Sequence, residues 1–404
     1  MAAEAQGTDP RTAPAAAPAH RPDAPLPVAG GIPPGLRGCF LQAETHPLAP
    51  GAGGEILAGP HLLSGIVLDG GTARWLRCSP PVGRGRPLGP VPALAPVLWA
   101  GAREADPDGP GTVAFARPVR DPASGRWHTV ATYPGLGHAE HLVTAPDGTV
   151  VHAEPFPLDG APLVHAVGLT ARYLVVFDLP VTHSRAAALV GERLPYAWRE
   201  GRPARVGFLP RAGGAPVTWV PVDPCYVFDV VDARDDGTHV VLDVVGRRRA
   251  FDGAGPSPAW LRRWRFDPAA GTAETLRTSA PVTGAVAVPS AGPGTGAHRL
   301  VATEPGGTVV LHDPALGTSA RTSLGRGWRP GAPVFVPGPE TGGWILVVAH
   351  HAASGRCELR VLDTSGRPAA AVRLPVRLAA GRAVRAAAVP DADALAGFAA
   401  RAAT

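Results

Sequence analysis

The sequence predicts a large all-β domain of many short strands, propeller-like in architecture, on three observations. First, 51 Gly and 48 Pro supply about a quarter of the 404 residues, yet 45% of the chain is hydrophobic and only 18% charged. That balance is too apolar for a chain that stays unfolded, and the absence of a Gly-X-Y period excludes collagen. Second, short β-type runs recur along the chain, parted by Asp-Gly and Gly-Gly turn signals, which mark hairpins between β-branched segments. Third, no segment between residues 35 and 380 keeps a helical period for three turns with a cap at each end. So many strands over this length exceed one sandwich, whereas blades of four antiparallel strands take it as a single domain. No per-blade motif of the WD or kelch kind marks a repeat.

In chain order, residues 1–34 read as a flexible Ala/Pro-rich tail, without the apolar stretch of a signal peptide. Residues 35–391 read as one domain. Within it, Asp69-Gly70-Gly71 precedes a strand at 72–78, Pro146-Asp147-Gly148 precedes one at 149–156, and an apolar run covers 172–179. The turn Asp235-Asp236-Gly237 leads into the apolar run 239–245, and Gly306-Gly307, Gly342-Gly343 and Ser354-Gly355 each precede a further strand. Helix-like stretches are confined to 185–192 and the Ala-rich end at 392–402, so 392–404 is expected to be a short tail or helix.

Charge and cysteine usage exclude several classes. All 38 basic residues are Arg, scattered through a chain of net charge +5, and a nucleic-acid partner would need them clustered on one face. The run Arg247-Arg248-Arg249 reads as a solvated strand edge. Cys39, Cys78, Cys225 and Cys357 form no CxxC pair, so zinc ribbons and a disulfide framework are not expected. No stretch reaches the ~18 uninterrupted apolar residues of a membrane span. A cytoplasmic protein is expected. The apolar stretch 91–100 is the one candidate for peripheral membrane contact, and packing in a core or rim is its other reading.

Familiar catalytic signatures are missing: there is no G-x-S-x-G elbow, no P-loop and no H-E-x-x-H. Residues 292–296 (GPGTG) read as a plain turn. His350 and His351 are neighbours in a strand-like run, so one faces in and the other out. His138 and Glu140 read as part of a solvated loop, in which His138 and His141 approach only across a turn. His165 lies in the apolar run Leu163-Val164-His165-Ala166-Val167, which predicts a buried imidazole, either a satisfied core residue or a metal ligand.

Residues 162–181, PLVHAVGLTARYLVVFDLPV, resemble the segment of carotenoid cleavage oxygenases that carries an iron-ligand His. The similarity continues in order through 116–125 (ARPVRDPASG), 195–198 (PYAW), 204–211 (ARVGFLPR), 224–245 (PCYVFDVVDARDDGTHVVLDVV) and 330–338 (PGAPVFVPG), and covers roughly residues 35–391. The resemblance implies a seven-bladed β-propeller under a small dome of loops and short helices. It also implies Fe(II) on the propeller axis, held by four His, and an apolar tunnel. Its partner would be an apolar small molecule, a carotenoid, apocarotenoid or isoprenoid, whose conjugated double bond O2 cleaves into two carbonyls. Four neutral imidazoles leave the iron its charge and open positions for oxygen.

The chain departs from that pattern at the ligand positions. Matching the family's four His are Arg117, His165, Asp229 and Arg385, and the position of a carboxylate that supports the ligands holds Ala332. Asp232, Arg234 and Asp235 stand where the family has Asn, Tyr and Glu, and 88–111 is short for the stretch of early blade expected there. Arg is always protonated and offers no lone pair, so the replacements predict a copy without iron, in which Asp229 bridges Arg117 and Arg385 beside His165. Stilbene-cleaving members of the family are expected to hold the phenol with a Lys and a Tyr, and this chain has no Lys. Three readings follow: an iron-free binder of an apolar polyene or isoprenoid, an interaction scaffold, and an active iron dioxygenase.

Overall fold

The computed structural model describes residues 25–45, 61–78, 102–103, 113–146, 149–190, 195–253, 257–289, 298–338, 342–375 and 386–389. Strands dominate. β1 (Val28–Gly30), β2 (Gly38–Thr45), β3 (His61–Asp69) and β4 (Thr72–Cys78) open the chain, followed by β5 (Ala102–Arg103), β6 (Val113–Phe115) and β7 (Val119–Arg120). Next come β8 (Trp127–Thr132), β9 (His138–Thr144), β10 (Val150–Pro157), β11 (Gly168–Leu169) and β12 (Tyr173–Asp178). A short excursion follows as β13 (Val181–His183), the helix α1 (Arg185–Leu189) and β14 (Tyr196–Trp198). The chain then runs through β15 (Ala204–Pro210), β16 (Thr218–Val222), β17 (Tyr226–Asp236), β18 (His239–Arg247), β19 (Ala259–Asp267) and β20 (Thr272–Val282). It finishes with β21 (Gly284–Pro289), β22 (His298–Glu304), β23 (Thr308–Asp313), β24 (Thr318–Ser323), β25 (Trp328–Pro337), β26 (Gly343–His351), β27 (Cys357–Asp363), β28 (Pro368–Arg373) and β29 (Ala386–Val389).

These strands pair into antiparallel sheets of four or more, in the orders β29-β2-β3-β4, β5-β6-β8-β9-β10 with β7 on β8, β11-β12-β15-β16, β17-β18-β19-β20, β21-β22-β23-β24 and β25-β26-β27-β28-β1. Each sheet is a blade of a β-propeller, and six are seen among the described residues. Most of 88–111, where a shortened early blade is expected, lies outside them. Chain ends close the ring twice: β1 completes the β25–β28 blade, with Ala29 opposite Ala371, and β29 joins β2, with Phe40 opposite Ala388. Residues 25–34, expected in the tail, therefore belong to the fold. Leu26 and Ile32 are buried against Trp75 and Val372, and that alternation of apolar residues is masked in the sequence by the surrounding Pro and Gly.

Burial explains the strand compositions. Central strands are covered on both faces by neighbouring blades, so β12 (YLVVFD) and β18 (HVVLDVVGR) are almost wholly buried, and they read as continuous apolar runs rather than alternating ones. Outer strands such as β24 (TSARTS) are exposed and polar, which suits an unpaired sheet edge. The Asp-Gly turn expected before 239 is the β17–β18 hairpin, in which Asp236 pairs with His239 and Gly237 adopts φ +59°. The core lies between blades: Val130 and Phe156 meet Leu174 and Val176, and Val301 and Leu311 meet Ile345 and Val347.

Candidate functional site

The segments that follow β6 and precede β11 run side by side. Ala166 pairs in parallel with Arg117, and the Arg117 N–H donates to the His165 carbonyl at 2.8 Å. This link sets two of the four matched positions next to each other. Asp229 arrives from β17, where the pairing with β18 slips between Val227 and Asp229 and again between Val230 and Asp232. Such bulges bend a strand and re-aim its side chains. The Asp229 carboxylate meets Arg117 in a bidentate pair, Oδ1 at 3.1 Å from Nη2 and Oδ2 at 3.2 Å from Nη1. Each side chain keeps 30% of its exposure.

His165 is buried, with 5% of its surface exposed. Its ring stands edge-on to Phe228, centroids 5.6 Å apart, and Phe228 stands edge-on to Tyr226 at 4.8 Å. The Tyr226 hydroxyl donates to the Leu163 carbonyl at 3.0 Å, which anchors the backbone two residues before His165. The ribbon β13–β14 with α1 adjoins this segment, since Leu163 N–H donates to the Val181 carbonyl at 2.8 Å and Trp198 N–H to that of Phe251 at 3.0 Å. The helix expected at 185–192 is present as a single short turn, capped by the Ser184 hydroxyl.

Ala332 sits where β25 slips against β26 between Pro330 and Pro333. A side chain on Gly284 would come within 2.4 Å of its methyl, so the two backbones approach closely. Arg385 lies outside the described residues, immediately before β29. Asp232 and Arg234 pair with each other at 2.6 Å, and Asp235 accepts from Arg172 Nε at 2.9 Å.

Other side chains fall differently from expectation. His138 and Glu140 are not in a loop but in β9, where Glu140 accepts from the Tyr133 hydroxyl at 2.5 Å; the following turn-like Thr144-Ala145-Pro146 obscured a strand that pairing with β8 and β10 secures. Arg247 and Arg249 do not project freely as a strand edge. Arg247 lies over the Phe228 ring, and Arg249 pairs with Glu200 and Asp252.

A further cluster, which the sequence pattern did not single out, occupies one face of β8–β10. His128 Nδ1 lies 3.0 Å from His141 Nε2, and one ligand atom from each of His141, His152 and Glu154 falls within 4.8 Å of the others. Burial pushes the His141 imidazole down to about 3, with His128 next as a cause, and His128 down to about 4. The signal that finds them is the hairpin register: His128 pairs with Val143, and His141 with Glu154, so all four share a face.

The family model for Retinal pigment epithelial membrane protein matches residues 93–382. A carotenoid cleavage oxygenase of Mycobacterium tuberculosis is 30% identical over 467 aligned positions, which take in 88% of this chain and 92% of the relative. The chain belongs to the carotenoid oxygenase family. An isoeugenol monooxygenase of Pseudomonas putida is 26% identical over 58% of this chain and 56% of its own. Among solved structures, a lignostilbene dioxygenase of Pseudomonas brassicacearum superposes with a TM-score of 0.72 at 20% identity, covering 92% of this chain and 96% of that one. The cobalt-substituted Synechocystis ACO gives 0.70 at 20% identity, over 91% and 96%. These neighbours share the carotenoid oxygenase β-propeller fold, and the family's activity is oxidative cleavage of carotenoid-like substrates. No helix among the described residues is long and apolar enough to cross a membrane.

Proposed function

We infer that this chain is a carotenoid oxygenase relative that binds an apolar conjugated polyene or isoprenoid without iron-dependent cleavage. The observation that carries the reading is the bidentate Arg117–Asp229 pair at two positions where the family resemblance implies iron-ligand imidazoles. A guanidinium offers no lone pair to a metal, and a cation fixed beside the centre opposes a second one. Both Asp229 oxygens are engaged by Arg117, and a third matched position is Arg385. His165 is the one family donor retained, short of even a two-His, one-carboxylate iron site, so the residues present do not fit the iron. The aromatic surround of His165, Phe228 and Tyr226 supports an apolar ligand. So do the relatives, which are named for carotenoids, isoeugenol and lignostilbene.

The test is metal content and the absorbance spectrum of the full chain as isolated, followed by titration with an apocarotenoid aldehyde. Expected are iron far below one per chain, saturable binding of the aldehyde, and no carbonyl products under O2. Close to one iron per chain with cleavage would establish the dioxygenase reading. Neither iron nor polyene binding would leave the propeller as an interaction scaffold.

A further inference from the structure

We propose that His141, His152 and Glu154 form a binding site for a borderline divalent ion, zinc being the best fit, in the β8–β10 blade and apart from the Arg117–Asp229–His165 region. Geometry and chemistry both support it. Zinc takes imidazole and carboxylate ligands at roughly 2.0–2.2 Å in a tetrahedral array, which places ligand atoms roughly 3.4 Å from one another. His152 Nε2 and Glu154 Oε2 are already 3.7 Å apart, and the whole set lies within 4.8 Å.

His141 supplies the independent observation. It is only 3% exposed, its Nε2 is engaged by His128, and its Nδ1 has no hydrogen-bond partner among the described residues. A buried, unsatisfied ring nitrogen calls for an explanation, and an ion is one of those that apply. With Nδ1 turned to the ion, His141 carries its proton on Nε2 and donates it to His128 Nδ1, the kind of hydrogen bond that orients a metal-ligating imidazole and fixes its tautomer. Glu154 is similarly held: its Oε1 accepts from the Gly214 N–H at 3.3 Å, leaving Oε2 turned to His152. The nearby cation, Arg211, is tied to Asp121 Oδ2 at 2.7 Å and to the Thr170 carbonyl at 2.9 Å. Water completes the coordination.

Gly214 belongs to the turn between β15 and β16, so a bound ion would brace two blades through Glu154. Zinc, used alone as the probe, is titrated into chelator-treated full-length protein, with cobalt absorbance reporting the geometry. One site per chain is expected, with a rise in the melting temperature. In the H152A/E154Q variant, which alters the two more exposed ligands, affinity should fall at least 100-fold and the thermal shift should vanish. Absence of binding by the wild-type chain, or unchanged stoichiometric binding by the variant, overturns the proposal. The iron measurement above, repeated in H152A/E154Q, separates metal held here from metal on the propeller axis.

Discussion

Removal of the Arg117–Asp229 pair is the perturbation that speaks most directly to the replaced iron-ligand positions. Two N–O contacts of 3.1 and 3.2 Å place unit charges roughly 4 Å apart, worth about 4 kcal/mol at an effective dielectric of about 20. Each side chain is 30% exposed, so desolvation, ordering and solvent screening cancel most of that attraction. A coupling energy of about 1–2 kcal/mol remains. D229A should cost more than this coupling, because it strands a half-buried guanidinium against the His165 backbone, whereas R117A/D229A should cost less than the two single changes together. The assay is a double-mutant cycle by equilibrium denaturation, followed through the fluorescence of the nine Trp. Circular dichroism checks that the fold is unchanged. A coupling below about 0.3 kcal/mol, the level at which independent sites add, would refute the reasoning and deprive the iron-free reading of its central observation.

Two further outcomes test the ion pairs that hold the blades. Burial would raise the Asp121 carboxyl, but hydrogen bonds from Ser124 and Ala123, together with Arg211, outweigh it and hold the group at about 2. Its folded value lies below the unfolded one, so its stabilisation, about 1–2 kcal/mol after solvent screening, is present above pH ~4 and fades as pH falls towards 2. D121N should flatten that part of the denaturation profile, and an unchanged profile would contradict the assignment. Asp243 is fully buried in β18 and accepts from Arg263 at 2.9 and 2.6 Å. D243A should therefore cost about 2–4 kcal/mol by leaving the largely buried Arg263 guanidinium, 13% exposed, without its partner, while breaking the exposed Arg265–Glu274 pair should cost under about 1 kcal/mol. Equal losses from the two would show that burial is not what sets the cost.

Features that depend on neighbouring residues were legible in the sequence. Gly237 takes the left-handed turn that an Asp-Gly pair signals, the run at 239–245 is a buried central strand, and His165 is buried as its apolar surroundings require. Short-range pattern failed where distant chain decides. Leu26 and Val28 look like tail until β28 and Trp75 are there to cover them, and His138 and Glu140 look like loop until β8 pairs with β9. The His128–His141–His152–Glu154 face was invisible for the same reason, since no spacing along one strand contains it.

By itself the sequence determined the all-β class, the turns and the family, because backbone preference and apolar patterning act over a few residues, and ordered motifs need no contacts to be read. The replaced ligand positions predict Asp229 beside Arg117, but only the tertiary structure decided the bidentate geometry of that contact across 112 positions, and that Glu154 comes to face His141. Those meetings follow from strand register, bulges and ring closure, which slip by single residues and turn a side chain from one face to the other.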